Sequence, residues 1–257
     1  MDPVLPLLGL REERERLKKA LIRHESLLVL GPAGAGKTAL IRATTAELPV
    51  ERGIVHARYS ANLHRLLGNL ARALLAARHG AFERLAKPSG DVEEWLCKQT
   101  SVHLKGLLWM ALETQPLTIV LDGADGASFP IYRFFQRLYF APGMAFIAAA
   151  RDTASLGALS RLFWDPRAVI HIRPLNRADS EQLFDLAARK FELERFELDD
   201  FREKVLESAQ GNPGQIVEMC RLAANPLYVS GRYIKFAPLR IDVMMRFLSS
   251  GAGHRPR

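Results

Sequence analysis

Apolar and polar positions along the chain fall into blocks of two kinds. Short strand-like runs recur at residues 26–30, 53–59, 117–122, 144–150 and 168–172. Those at 117–122 and 144–150 are apolar without alternation, the look of buried strands in a parallel sheet. Between them lie segments with a helical period. Over 10–24, Leu10, Leu17, Ala20 and Leu21 face one way and Arg11, Glu12, Glu13, Glu15, Arg16, Lys18 and Lys19 the other. Residues 39–48 follow, then 62–79 with Leu63, Leu66, Leu67, Leu70, Leu74 and Leu75, and a turn at Lys87-Pro88-Ser89-Gly90-Asp91. A long helix is predicted over 92–113, with Trp95, Leu96, Val102, Leu107, Leu108, Met110 and Leu112 as its apolar positions, and another over 129–139. Strands alternating with helices in this way predict an α/β fold with a mostly parallel sheet.

From Pro174 onward the strand-like runs stop. Residues 176–191, 199–210 and 214–224 read as three helices, punctuated by Gly211-Asn212-Pro213 and Asn225-Pro226. A short hairpin is expected over 228–239, a last helix over 240–248 and a disordered tail over 251–257. The chain therefore divides into a core, 1–173, and a helical lid, 174–257. No internal repeat is visible.

At 257 residues and 48% hydrophobic content the chain can bury a sizeable core. Its net charge of +8 makes an anionic partner an expectation, although charge speaks to association and not to fold. The basic residues are unevenly placed. Residues 126–178 hold Arg133, Arg137, Arg151, Arg161, Arg167, Arg173 and Arg177 against Asp152 and Asp165, and residues 221–257 hold seven bases against Asp242 alone. The stretch 179–207 is acid-rich. Cys97 and Cys220 belong to no metal-binding or disulfide pattern and are expected to be reduced, buried thiols. The first residues lack a positively charged leader, and no apolar stretch is long enough to span a bilayer, so a cytoplasmic protein without a membrane partner is expected.

One stretch changes the picture. Gly31-Pro32-Ala33-Gly34-Ala35-Gly36-Lys37-Thr38 fits G-x-x-x-x-G-K-[ST] at every fixed position, between a strand-like and a helix-like run. Phosphates need inward-pointing backbone N–H groups, glycines that let the chain curl, and the partial positive charge of a helix N-terminus. Lys37 then reaches the β- and γ-phosphates, Thr38 offers its hydroxyl to Mg²⁺, and Ala39 follows in the first helical turn. The second requirement is an acid on a neighbouring buried strand, and Asp122 ends the run Leu117-Thr118-Ile119-Val120-Leu121. The expected ligands are ATP and Mg²⁺, the metal falling to Thr38 and Asp122.

With these motifs in hand, the chain resembles the compact P-loop ATPases of the AAA+/STAND group. Gly9-Leu10-Arg11-Glu12-Glu13 with Leu17 is similar to the segment that precedes the phosphate loop and lies near the adenine, with Leu10 as an extra residue. Asp122-Gly123-Ala124-Asp125 resembles the D-G-x-D Walker B form of NACHT-type STAND ATPases. Gly123 stands where typical AAA+ proteins have a catalytic Glu, which leaves Asp125 to polarise the attacking water, or to cap the helix starting near Ser128. Arg151 resembles the arginine that ends the sensor strand, with a salt bridge to Asp152 as the alternative. Arg161, in Ala158-Leu159-Ser160-Arg161-Leu162-Phe163, resembles the arginine that reaches a neighbouring subunit's nucleotide, with pairing to Asp165 as the alternative. Gly211-Asn212-Pro213-Gly214 resembles the nucleotide-facing turn of the lid, which brings Pro213 into the site. Relatives often carry an arginine just after this turn, where this chain has Gly214 and Gln215.

The resemblance implies a P-loop NTPase with a five-stranded sheet in the order 5-1-4-3-2 and ATP between core and lid. It implies an ATPase of slow turnover that acts as a nucleotide-dependent switch or assembly factor, as a homo-oligomer or with a partner chain. A DNA-associated AAA+ ATPase of the transposon target-selection or initiator-loading kind is the alternative, with DNA as partner. A metabolic phosphotransferase would need a substrate acid or base and a mobile basic lid beyond Asp122, which the order of elements does not supply.

Overall fold

The computed structural model describes residues 5–49, 53–87 and 90–252, with the backbone alone for 248–252. The chain falls into two compact units, Glu12–Leu30 with Ile41–His171, and Met1–Arg11 with Gly31–Leu40 and Ile172–Arg257.

The first unit is built on one sheet of β1 (Leu27–Leu30), β2 (Ile54–Arg58), β3 (Thr118–Asp122), β4 (Ala145–Ala150) and β5 (Val169–His171). Their spatial order is β2-β3-β4-β1-β5, the expected 5-1-4-3-2, and every pairing is parallel. All four residues of β1 and all six of β4 are buried, because helices cover both faces, which is why these strands read as unbroken apolar runs. The register aligns Leu30 with Ala150 and Leu121 with Ala148. The carboxyl ends of β1, β3 and β4 thus share one edge of the sheet.

Helices α1 (Arg11–Arg23) and α2 (Lys37–Ala46) flank β1 in sequence, and α7 (Phe129–Tyr139) lies between β3 and β4. Between β2 and β3 the chain forms four helices where two were expected. These are α3 (Leu63–Ala76), α4 (Gly80–Ala86), α5 (Val92–Cys97) and α6 (Ser101–Thr114). The predicted helix over 92–113 is broken because Thr100 caps a new start, its side chain accepting the His103 N–H at 3.2 Å. The break re-phases the apolar face. Leu104, Leu107, Leu108, Ala111 and Leu112 are buried, whereas Val102 and Met110 face outward. Helix α4 is started by buried His79, whose Nδ1 accepts the Phe82 N–H while Nε2 meets the Gln115 carbonyl oxygen at 2.8 Å. The expected turn at 87–91 includes residues 88 and 89, which lie outside the described residues. Phe135 packs edge-on against Phe146 of β4, with ring centroids 5.4 Å apart, and fixes α7 on the sheet.

In the second unit α8 (Arg177–Lys190), α9 (Asp199–Ala209), α10 (Pro213–Ala223) and α11 (Phe236–Ala252) surround their own apolar core, which includes Leu183, Phe184, Phe201, Ile216, Met219 and Leu239. The hairpin of β6 (Val229–Ser230) and β7 (Tyr233–Ile234) is shorter than expected. Helix α11 begins before Arg240 and takes in Gly251 and Ala252, which sequence assigned to a disordered tail; residues 253–257 lie outside the described residues. Cys220 is buried here, and burial pushes its thiol up to about 12. Cys97, expected to be buried, is exposed.

The loops following β3 and β4 continue the pairing of those strands. Ala124 N–H donates to Ala149 O at 2.7 Å, Gly126 N–H to Ser155 O at 2.6 Å, and Ala158 N–H to Ala127 O at 2.8 Å. Gly157 makes this closure sterically feasible. Its φ is +62° and a Cβ there would lie 2.6 Å from Ala127 O. Gly126 has φ +73° but open space around the missing Cβ. Gly157→Ala is therefore expected to cost about 1–3 kcal/mol more than Gly126→Ala, or roughly 2–10 °C in melting temperature. Thermal melts of the two variants check this, and equal shifts would contradict the close approach.

Candidate active site

The phosphate-loop sequence begins directly after Leu30 and ends in α2, whose first residue is Lys37. The loop curls through an Ala35 N–H bond to Pro32 O at 3.2 Å, and α2 opens with Leu40 N–H on Gly36 O at 2.8 Å. Lys37 folds back over its own loop, Nζ donating to Gly31 O at 2.5 Å and to Pro32 O at 2.9 Å. A cation held on loop carbonyls has partners it can exchange for phosphate oxygens without moving its backbone.

Within the same unit the turn at Asn212-Pro213-Gly214 sits on this loop. Asn212 caps α10 by accepting the Gln215 N–H and donates from Nδ2 to Ala33 O at 2.9 Å. Gly214 N–H donates to Gly34 O at 2.9 Å. No other residue fits at 214, since a Cβ would stand 2.6 Å from Gly34 Cα. A cavity of about 300 Å³ opens here, with Pro32, Ala35, Ile172, Pro174 and Pro213 in its wall. The loop residues and Pro213, grouped by sequence, do come together.

Asp122 closes β3, is partly exposed, and lies beside Arg58 of β2 in the register. The donor set expected for Mg²⁺, a threonine hydroxyl and a carboxylate, consists of hard oxygens and fits that ion. Among the described residues no cluster of three or more His, Cys, Asp or Glu competes as a metal site.

Asp125 and Arg151 form an ion pair that the sequence did not reveal. Arg151 Nε donates to Asp125 Oδ2 at 3.0 Å, and the Arg151 backbone N–H donates to Oδ1 at 3.3 Å. Ser155 Oγ adds a bond to Oδ1 at 2.8 Å. Asp125 is therefore no cap for α7, where Ser128 stands at the N-cap, and Arg151 pairs across the loops and not with its neighbour Asp152. Tyr59 also belongs to this surrounding. Its phenol is pushed above its usual range by burial first and by the Asp125 carboxylate second, so it stays protonated. Its hydroxyl is buried and has no hydrogen-bond partner among the described residues. Ser155 and Tyr59 were missed by sequence reasoning because no motif marks them; only the folding of the loops after β2 and β4 brings them to Asp125.

Arg161 lies in the turn before β5, and its guanidinium sits over Phe129 at 5.6 Å and Tyr132 at 5.8 Å. The alternative partner Asp165 is engaged by Arg167 at 3.0 Å. Glu47 pairs with Arg14 and with Lys18 of α1.

With this geometry established, comparisons place the chain. No curated protein matches it by sequence. Among solved structures it is similar to a Walker-type ATPase of Pyrococcus abyssi, with 17% identity and TM-score 0.56 over 96% of this chain and 73% of that one. It is similar to the Orc1 protein of Aeropyrum pernix, solved in complex with DNA, with 15% identity and TM-score 0.62 over 98% of this chain and 70% of that one. A STAND protein of Pyrococcus horikoshii with a tetratricopeptide repeat sensor gives 17% identity and TM-score 0.51 over 95% of this chain, which spans 33% of its length. At these identities the likeness establishes the P-loop ATPase fold. The family description "AAA ATPase domain" matches residues 6–172, which is more than half of the chain, and the protein accordingly belongs to the AAA ATPase domain family.

Proposed function

We propose that this ATPase is a nucleotide-dependent switch of slow intrinsic turnover, with residues 1–173 as its core and 174–257 as its lid. Gly31 to Ala39 cradle the phosphates, Lys37 exchanges its carbonyl partners for phosphate oxygens, and Pro213 closes on the base in the 300 Å³ cavity. Thr38 and Asp122 hold Mg²⁺, which when bound neutralises charge on the β- and γ-phosphates. Asp125 orients and deprotonates water, and Arg151 senses the γ-phosphate.

The observation that carries the switch reading is the Asp125–Arg151 pair. A carboxylate whose two oxygens are taken by Arg151 and Ser155 is poorly placed to accept a proton from water. Arg151 must leave Asp125 to reach a phosphate, so sensing and base activation become one event. Arg161, held on aromatic faces and exposed, is suited to a phosphate brought by a second copy of the chain. That supports ATP-promoted self-association.

The DNA-associated reading has weaker support. Of the seven arginines between 126 and 178, four are paired with acids: Arg137 with Glu113, Arg151 with Asp125, Arg167 with Asp165, and Arg177 with Glu181 and Glu203. Three of these, Arg137, Arg151 and Arg177, meet acids from outside the basic stretch, which lowers the charge seen in sequence. Arg133 and Arg161, both exposed beside Phe129, are what favours a nucleic-acid contact. No helix among the described residues is long and apolar enough to cross a membrane.

Replacing Lys37 by Ala should weaken Mg-ATP binding roughly ten- to a hundredfold, the loss expected of charge-assisted hydrogen bonds worth about 1.5–3 kcal/mol, with the far-ultraviolet spectrum unchanged. Calorimetry showing wild-type affinity would contradict the phosphate-loop assignment. For Asp125→Asn, ATP affinity should be kept while turnover falls about a hundredfold or more, as for loss of a general base. Normal turnover in that variant would mean that water is polarised elsewhere. In sedimentation with a non-hydrolysable ATP analogue, the wild type should associate and Arg161→Ala should not; if neither associates, with or without added DNA, Arg161 is no inter-subunit residue.

A further inference from the structure

The phosphate loop and the C-terminal helices belong to one compact unit, and the helices grip the loop around Gly34. This residue has φ +80°, and groups from α10 and α11 close on its Cα. A Cβ there would stand 2.6 Å from Phe247 Cε1 and 2.7 Å from Asn212 Oδ1, while a Cβ on Gly214 would stand 2.6 Å from Gly34 Cα. Glycine at both positions permits this approach. The loop carbonyls are tied as well, since Ala33 O accepts from Asn212 Nδ2 and Gly34 O from Gly214 N–H, each at 2.9 Å. Phe247 is half-buried and packs on the apolar core of its own unit, which makes the ring a fixed wall against the glycine.

A carbonyl fixed on one side fixes its peptide N–H on the other. The bond between Ala33 and Gly34 is planar and trans, so Ala33 O turned to Asn212 points the Gly34 N–H away from α10. That N–H has no hydrogen-bond partner among the described residues. An anion in the loop needs such donors, and a glycine-rich segment loses more conformational freedom than others when it is ordered. Ordering it in advance removes that loss from binding. Asn212 uses a separate atom for each task, Oδ1 capping α10 on the Gln215 N–H at 3.2 Å while Nδ2 holds Ala33 O. We propose that Asn212 and Phe247 are positioning residues of the phosphate site, which hold Gly34 so that its N–H is set for a phosphate oxygen before nucleotide arrives. This rests on the reading of Gly31–Thr38 as the ATP site. It extends the support of that site to α11, which no loop motif marks.

The test compares phosphates with and without a base. Affinities for Mg-ADP, for Mg²⁺ with a non-hydrolysable ATP analogue and for Mg-pyrophosphate are measured by calorimetry on wild type, Asn212→Ser, Phe247→Ala and Phe247→Leu, with melting curves as a check on folding. Serine caps a helix about as well as asparagine but lacks the amide donor, so Asn212→Ser should melt within about 2 °C of wild type. It should bind all three ligands roughly three- to tenfold more weakly, as for loss of one neutral hydrogen bond. Phe247→Ala should weaken all three in the same way, and Phe247→Leu should recover most of the loss. A loss confined to the two nucleotides, with pyrophosphate unaffected, would overturn the proposal and make the contact one that serves the base. Wild-type affinities for all three ligands in Asn212→Ser would overturn it as well and leave the bonds as a tie between turn and loop. Failure of the underlying site looks different, because the wild type would then bind none of the ligands in a Lys37-dependent way, and that result removes the proposal with it.

Discussion

Parallel pairing of β1, β3 and β4 is the constraint on which everything functional in this chain depends. A parallel pair needs a crossover of its own, so every strand of the sheet ends at the same edge. Leu30 and Ala150 come to that edge in register, Asp122 follows Leu121, the partner of Ala148, and each of the three is followed by a loop that carries candidate chemistry. Hydrogen bonds from Ala124 to Ala149 and from Gly126 to Ser155 then extend the β3–β4 pairing beyond the sheet proper. The consequence is local and electrostatic. Asp125 and Arg151 are held within bonding distance by backbone that is already paired, so their ion pair forms with little further loss of freedom.

In the proposed switch that pair supplies one of two states. With Arg151 on Asp125 the carboxylate is occupied, and under the proposed function a move of Arg151 to a phosphate would release it beside Ser155 and the protonated Tyr59 phenol. The ion pair is partly exposed, so its own contribution to stability is small. A small difference between two arrangements is what lets a ligand shift the balance between them. The proposed role of Lys37 has the same form, two carbonyl contacts that would be exchanged for phosphate contacts.

Much of this was legible in the sequence because it is local. The phosphate loop is read from fixed positions, β3 and β4 from unbroken apolar runs, and α7 from a period that the structure reproduces from Phe129 to Tyr139. Two kinds of feature were not legible. One is the break at Thr100, where a single capping hydroxyl outweighs a continuous apolar period and turns Val102 and Met110 outward. The other is long-range pairing of charges. Arg151 reaches Asp125 and Arg137 reaches Glu113 across more than twenty residues, so neither pairing follows from neighbours in the chain. Ser155 and Tyr59 belong to the same class, since each becomes part of the site only through the loops that surround Asp125.

The most direct measurement is a crystal structure of the protein with Mg²⁺ and a non-hydrolysable ATP analogue. The account predicts phosphates on Gly31–Thr38, Mg²⁺ on Thr38 and Asp122, and the Arg151 guanidinium turned from Asp125 to the γ-phosphate with a water within hydrogen-bonding distance of the freed carboxylate. Nucleotide bound in the loop with the Asp125–Arg151 pair intact would contradict the claim that one arginine couples sensing to hydrolysis.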